Sequence, residues 1–308
     1  MSIWEEIKQS FKRGNINTKL IYINLGVFLI VNIIYVFHVL INPGGYPIII
    51  LKSSFENHFL AWLMVPASVH ALIYKPWTIF TYMFLHFNFW HILFNMIWLY
   101  MFGRIFLMYL TEKQLLSTYI LSGLSGAALF ILSYNFIPGL KHLMPQSQML
   151  GASAGVMGVA MGISFYSPNY TVYVPFIGAV RLKYIALFFI VTDIIQIASV
   201  NTGGHIAHLG GVIYAYVFIL RLRKGKDIGE GLNNLFDNIT TFFSKRRSKM
   251  KVSFKKSDIQ HMTDMDYNQQ KVERQKEVDR ILDKIAKSGY DSLTKKEKET
   301  LFKMSGKN

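Results

Sequence analysis

Apolar stretches close to bilayer length, divided by short polar breaks, fill the chain from about residue 20 to residue 221. Six candidate spans fall at 20–41, 77–101, 114–134, 150–167, 182–200 and 206–221. Each is apolar enough to cross, or nearly cross, a hydrocarbon layer of about 30 Å. No water is available there to satisfy backbone N–H and C=O groups, so helices are expected. The pattern predicts an all-α polytopic membrane protein, a six-transmembrane-helix bundle with a short helical tail. The fourth span stands apart. Between Gly151 and Ser167-Pro168 it reaches only about 25 Å at about 1.5 Å per residue, so its N-terminal end can stop below the membrane surface, on the floor of a wet depression.

Other segments are patterned differently. Ile3, Trp4, Ile7 and Phe11 share one helical face, which fits either an interfacial helix ahead of the first span or a frayed terminus. Residues 42–76 are rich in Ile, Leu, Trp and Phe but interrupted by Pro, Gly and charge, as suits an element lying in the outer membrane interface. Beyond residue 222, Val278, Ile281, Leu282 and Ile285 precede Gly289, and Thr294 and Glu297 stand at capping-box spacing before Leu301-Phe302. The expected organisation is an N-terminal segment 1–18, a six-span domain 19–221, and a tail 222–308 with a small helical unit at 270–303.

Charge follows the same division. Residues 20–220 hold seven Lys/Arg and three acids, Glu56, Glu112 and Asp193, whereas residues 221–308 hold 22 Lys/Arg and 13 acids. Most of the net charge of +15 therefore lies outside the apolar region. It is read as a membrane-surface anchor on anionic lipid, not as a nucleic-acid footprint. Lys8, Lys12, Arg13 and Lys19 before the first span, with Arg221, Arg223, Lys224, Lys226, Lys245, Arg246 and Arg247 after the last, place both termini in the cytoplasm, and the cell inner membrane is the expected location. Cysteine is absent, so no disulfide, thiol nucleophile or Cys-based metal site exists. The first apolar run is too long and too unpunctuated for a cleaved signal peptide and is expected to stay as a span.

Within this apolar frame a few residues can do chemistry. Ser153 lies in Gly151-Ala152-Ser153-Ala154-Gly155 at a helix start, where free N–H groups and the positive end of the dipole favour an oxyanion. Ala154, Gly158 and Gly162 form a small-residue ridge, and so do Ala207, Gly211 and Ala215; such ridges let helices approach closely in lipid. His208, at i, i+3, i+7 with Gly211 and Ala215, can lie on the face that meets the serine helix. A histidine inside a span marks a functional site by default. His205 is a rival base, placed nearer the helix mouth. His91 and Asn95 share a face at i, i+4 and can point donors at one oxyanion, while His86 better suits a structural contact. Asp193 is read as buried polar packing or a lipid-edge residue, although it could orient a histidine.

Three strings, His86-x4-His91-x3-Asn95, Gly151-Ala152-Ser153 and Ala207-His208-Leu209-Gly210-Gly211, together resemble the rhomboid family of intramembrane serine proteases over roughly residues 19–221. The resemblance implies a rhomboid-like six-helix bundle with a water-filled cavity open to the outside. It implies Ser153 as nucleophile and His208 as general base, a dyad without a carboxylate, with Asn95, His91 and the Ser153 amide as oxyanion hole. Neither metal nor cofactor is implied, and the expected partners are transmembrane protein substrates and the lipid bilayer. Two positions depart from the family: Ala154 stands where Gly usually follows the serine, which should tighten the contact between the catalytic helices, and no acid follows Gly103.

The competing readings are a catalytically inactive relative that binds membrane clients, a haem or metal protein using His86, His91, His205 and His208, and a transporter. No carboxylate or thiol is expected beside the histidines and no His-Glu-x-x-His occurs, which weighs against a metal site. The absence of repeated halves and the scarcity of intramembrane charge weigh against a transporter.

Overall fold

The computed structural model describes residues 2–42, 44–199, 201–243 and 264–299, in two units, Met1–Phe243 and Ser244–Asn308. The first unit contains α1 (Ile3–Arg13), α2 (Ile16–Leu40), α3 (Ile48–His58), α4 (Val69–Tyr74), α5 (Thr78–Thr81), α6 (Phe89–Tyr109), α7 (Glu112–Phe136), α8 (Pro138–Lys141), α9 (Ser153–Tyr166), α10 (Leu182–Gln196), α11 (Thr202–Leu222) and α12 (Glu230–Phe243). Among the described helices, α2, α6, α7 and α11 are long and apolar enough to cross a membrane. Helices α9 and α10, with 14 and 15 residues, reach only about 21 and 22 Å. The first unit is thus mostly helical, with four helices that can cross a membrane, and the expected count of six full spans is not reached among the described helices.

The second span differs from the expected 77–101. Residues 78–84 form α5 and a 3-10 turn, and the long helix starts only at Phe89. Asn88 sets that start: its Oδ1 accepts from the N–H groups of Trp90 and His91, at 2.9 and 3.2 Å, satisfying donors that a helix start leaves free. His91 therefore sits in the first turn of α6. The fold is not purely helical either. Val65–Pro66 (β1) pairs antiparallel with Gln148–Met149 (β2), and Thr171–Val174 (β3) with Gly178–Arg181 (β4). The β-branched Thr171, Val172 and Val174 favour strand geometry, and Phe176 and Gly178 take positive φ in the turn, 67° and 98°.

Residues 48–74 fold as α3, a 3-10 turn at Leu60–Trp62, β1 and α4. Leu51, Phe55 and Leu60 are buried while Ile48, Ile49 and Ile50 stay exposed. The indole N–H of Trp77 donates to the Trp62 carbonyl at 2.8 Å, and the two rings stack. Helix α1 is formed, not frayed, with a reciprocal Ser2–Glu5 cap and with Trp4, Ile7 and Phe11 exposed.

Packing centres on α7, α9 and α11. Gly210 faces the backbone of Ser125 and Gly126 on α7, and the Ser125 hydroxyl donates to the Gly210 carbonyl at 2.8 Å. Gly211 faces the Ala154 carbonyl on α9. Buried polar groups bind the frame internally: Tyr82 Oη donates to the Gly123 carbonyl at 2.6 Å, and Tyr119 Oη to the Met83 carbonyl at 3.0 Å while accepting from Asn24 Nδ2 at 3.2 Å. Arg223, expected as part of a lipid anchor, also donates to the Phe165 carbonyl at 2.8 Å, near the C-terminus of α9.

In the second unit, α13 (Asp264–Ser288) is followed by a 3-10 turn at Tyr290–Ser292 and helical residues 295–299. Glu297 accepts from the Thr294 amide at 2.7 Å and from Lys284 Nζ at 3.0 Å. The Thr294 amide first, and Lys284 after it, hold the carboxyl down at about 2. The stabilisation is present above the ordinary carboxylate range and is lost as pH falls toward about 2. Lys284→Met should raise the Glu297 midpoint, as read from its side-chain carboxyl carbon shift in a pH titration. Lys245, Arg246, Arg247 and Leu301-Phe302 lie outside the described residues.

Candidate active site

The segment before Ser153 is held on three sides. Its strand β2 pairs with β1, the Gly151 N–H donates to the Tyr82 carbonyl at 2.9 Å, and the Ala152 N–H donates to His86 Nε2 at 3.3 Å. His86 is wholly buried, so its structural contact fixes the approach to the serine. Gly151 has φ of 126°, and a Cβ there would stand 2.7 Å from Cε1 of His91. Only glycine fits without displacing that ring.

Helix α9 then begins at Ser153 without a side-chain cap. Its first return bond runs from the Val156 N–H to the Ala152 carbonyl, so the earlier amides of the turn are not used by the helix itself. They are the donors an anion beside Ser153 can take.

One cavity of about 740 Å³ is lined by Ser153, His91, Asn95, Gly151, Asp193 and His208. All four residues picked as nucleophile, base and oxyanion donors therefore face the same space. Asn95 is nearly buried, and one of its amide N–H groups donates to the His91 carbonyl at 2.8 Å. That bond fixes its rotamer and leaves the second N–H for a ligand.

The expectation for Ala154 is corrected by its neighbours. A Cβ built on Gly126 would stand 2.7 Å from the Ala154 methyl. The methyl is therefore taken up opposite a glycine on α7, while α11 approaches α9 through Gly211 and the Ala154 carbonyl. Gly126 provides the room that glycine after the serine would otherwise give.

Asp193 is buried, as one of its two sequence readings had it, and its partners give that burial a purpose. It is 5% exposed, and Oδ1 lies 2.9 Å from His208 Nδ1 and 2.8 Å from His205 Nδ1. A carboxylate does stand beside the histidines, contrary to expectation, and His205, read as a rival base nearer the helix mouth, is bonded to the same carboxylate oxygen. The signal available in sequence was the cost of an acid inside an apolar helix.

Asp193, His205 and His208 offer three ligand atoms within 4.8 Å of one another. A metal at about 2.0 Å from each nitrogen would have to displace the Nδ1 proton from both rings. Oδ1 is shared by both imidazoles at hydrogen-bonding distances, and the arrangement is read as a hydrogen-bonded cluster.

Residues 74–225 match the rhomboid domain, and residues 262–307 match a family of unknown function, DUF6576. Among curated proteins, the chain is similar to RHOMBOID-like protein 12, mitochondrial, of Arabidopsis thaliana, 29% identical over 161 residues, which are 48% of this chain and 47% of that protein. It is also similar to Rhomboid-like protein 17, chloroplastic, of the same plant, 29% identical over 165 residues, 48% of this chain and 50% of that protein. The chain spans about half the length of these relatives. The rhomboid match includes His91, Asn95, Ser153, Asp193 and His208.

Proposed function

We propose that this chain, which belongs to the rhomboid family through its domain at residues 74–225, is an intramembrane serine endopeptidase that cleaves transmembrane protein substrates. The observation that carries the reading is the shared cavity: a serine at a helix start, a histidine on the adjoining helix, and His91 and Asn95 opposite. Ser153 Oγ attacks the scissile carbonyl as its proton passes to His208 Nε2. The Ser153 amide, Asn95 and His91 hold the oxyanion that forms. His208 returns the proton to the leaving amine, and water, activated by the same imidazole, releases the acyl group from Ser153. No metal or cofactor takes part.

The substrate is a membrane protein whose helix can unwind near its outer end, because an intact helix hides its scissile carbonyls in its own hydrogen bonds. The basic flanks support both termini on the cytoplasmic side; the relatives' names place those proteins in mitochondria and chloroplasts.

The test is labelling by a fluorophosphonate probe in lipid vesicles, with the modified residue identified by mass spectrometry. Adduct on Ser153 is expected. Folded protein that takes no label would instead be a catalytically inactive client-binding relative, a reading favoured by relatives whose names say rhomboid-like and state no activity. Asn95→Ala should lower turnover on the order of 10²-fold, as for loss of one oxyanion donor, with Ser153 labelling slowed in parallel. A wild-type rate would remove Asn95 from the hole.

A further inference from the structure

The proposed dyad leaves one buried ionisable group without a task. Asp193 lies on α10, 12 residues before His205 and 15 before His208. A carboxylate so buried in an apolar bundle is costly unless its lone pairs find donors. Among the described residues, the side-chain hydrogen bonds of Asp193 are with the two imidazoles, both through Oδ1, and Oδ2 is buried without a hydrogen-bond partner.

The chain path makes the contact possible. Helix α10 ends at Gln196, and the connection to α11 turns tightly through Asn201, which takes φ of 66°. Gly204 packs against the Asn201 side chain, where any Cβ would collide. The last turn of α10 is thereby laid beside the first two turns of α11, setting Asp193 against both histidines.

Resting on the protease reading above, we infer that Asp193 is a positioning residue for the general base and extends the dyad into a Ser153–His208–Asp193 relay. As the acceptor, its carboxylate requires the proton of His208 on Nδ1. Nε2 is then the unprotonated nitrogen, which is the form that can take the Ser153 proton. The same bond holds the ring plane and stabilises the imidazolium that forms as Ser153 attacks. His205 donates to the same oxygen and so fixes the carboxylate from the far side. The asparagine isostere cannot do this, because its amide can donate to Nδ1 and select the wrong tautomer.

The titratable groups facing this cluster are few. His205 and His208 come from α11, Asp193 from α10, His91 from α6, and Tyr82 and His86 from the segment before it.

The experiment uses the full chain in vesicles with a single-span reporter substrate, comparing wild type, Asp193→Asn, Asp193→Glu and Ser153→Ala across pH 5–9. Asp193→Asn should lower kcat on the order of 10²-fold or more, with KM within about threefold. Asp193→Glu, which keeps the charge, should recover part of kcat. A wild-type kcat in folded Asp193→Asn would overturn the inference. So would a loss that Asp193→Glu does not relieve, the mark of packing alone. Turnover that survives Ser153→Ala would remove the hydrolase reading and the relay with it, whereas turnover lost with Ser153→Ala but kept by Asp193→Asn removes the relay only.

Discussion

Ser153→Ala and His208→Ala should each abolish turnover by about 10³-fold or more, because a nucleophile and its base act as a unit and neither works without the other. The double variant should lose no more than either single one. Additive losses would show that the two residues serve separate steps. Substrate binding should persist in both, since the walls of the cavity, Trp98, Phe102, Phe188 and Phe189 among them, are untouched. Co-purification of uncleaved substrate with Ser153→Ala, together with a KM near wild type for any residual activity, checks this. Substantial cleavage by either variant would sink the assignment. Labelling by the fluorophosphonate should vanish with Ser153→Ala and fall steeply with His208→Ala. His205→Ala should keep labelling, because His208 retains its own bond to Asp193.

The relation between sequence and structure is uneven in an instructive way. Ser153, His91, Asn95 and His208 could be read directly because each is a polar group at a defined helical spacing inside an apolar run, where polarity is costly. Their gathering around one cavity follows from the small-residue faces of α9 and α11. Asp193 shows the same polarity, but its partners lie across a turn between helices. No periodicity predicts which side chains meet over an interval of 12 or 15 residues. The start of α6 was hidden for a different reason. Residues 77–101 are broken only by the short polar string His86, Asn88 and His91, too brief to mark a boundary by hydropathy, yet the Asn88 side chain offers a better partner for the first amides than continuing the helix does. Strand β1 pairs with β2 across more than eighty residues, and a two-residue pairing carries no local pattern. The shortness of α9 was legible, from Gly151 at one end and Pro168 at the other; that of α10 was not, because residues 182–200 stay apolar past its end at Gln196.

Gly211→Val should cost both stability and activity, and the coupling of the two losses tests how the site is assembled. A Cβ at residue 211 would run into the Ala154 carbonyl. The obstacle is backbone, so no rotamer change relieves it. Overpacking of this kind costs roughly 1–3 kcal/mol when side chains can adjust, and about 3 kcal/mol or more is expected where two helices must separate. Thermal unfolding in detergent should show the loss as a lowered midpoint. His208 sits one turn before Gly211 on the face that meets α9, so the same separation draws the imidazole away from Ser153. A displacement near 1 Å suffices for about a 10²-fold loss, which makes activity the more sensitive measure at temperatures where the protein is still folded. Gly211→Ala should show both effects in weaker form. Gly210→Val clashes with the backbone of Ser125 and Gly126 on α7 instead, pressing on the opposite side of α11. If both valine variants are equally destabilised but Gly211→Val loses more turnover, the α9–α11 contact is what sets the distance between Ser153 and His208. Equal losses of turnover would mean that general bundle stability, and not that one contact, governs the geometry of the site.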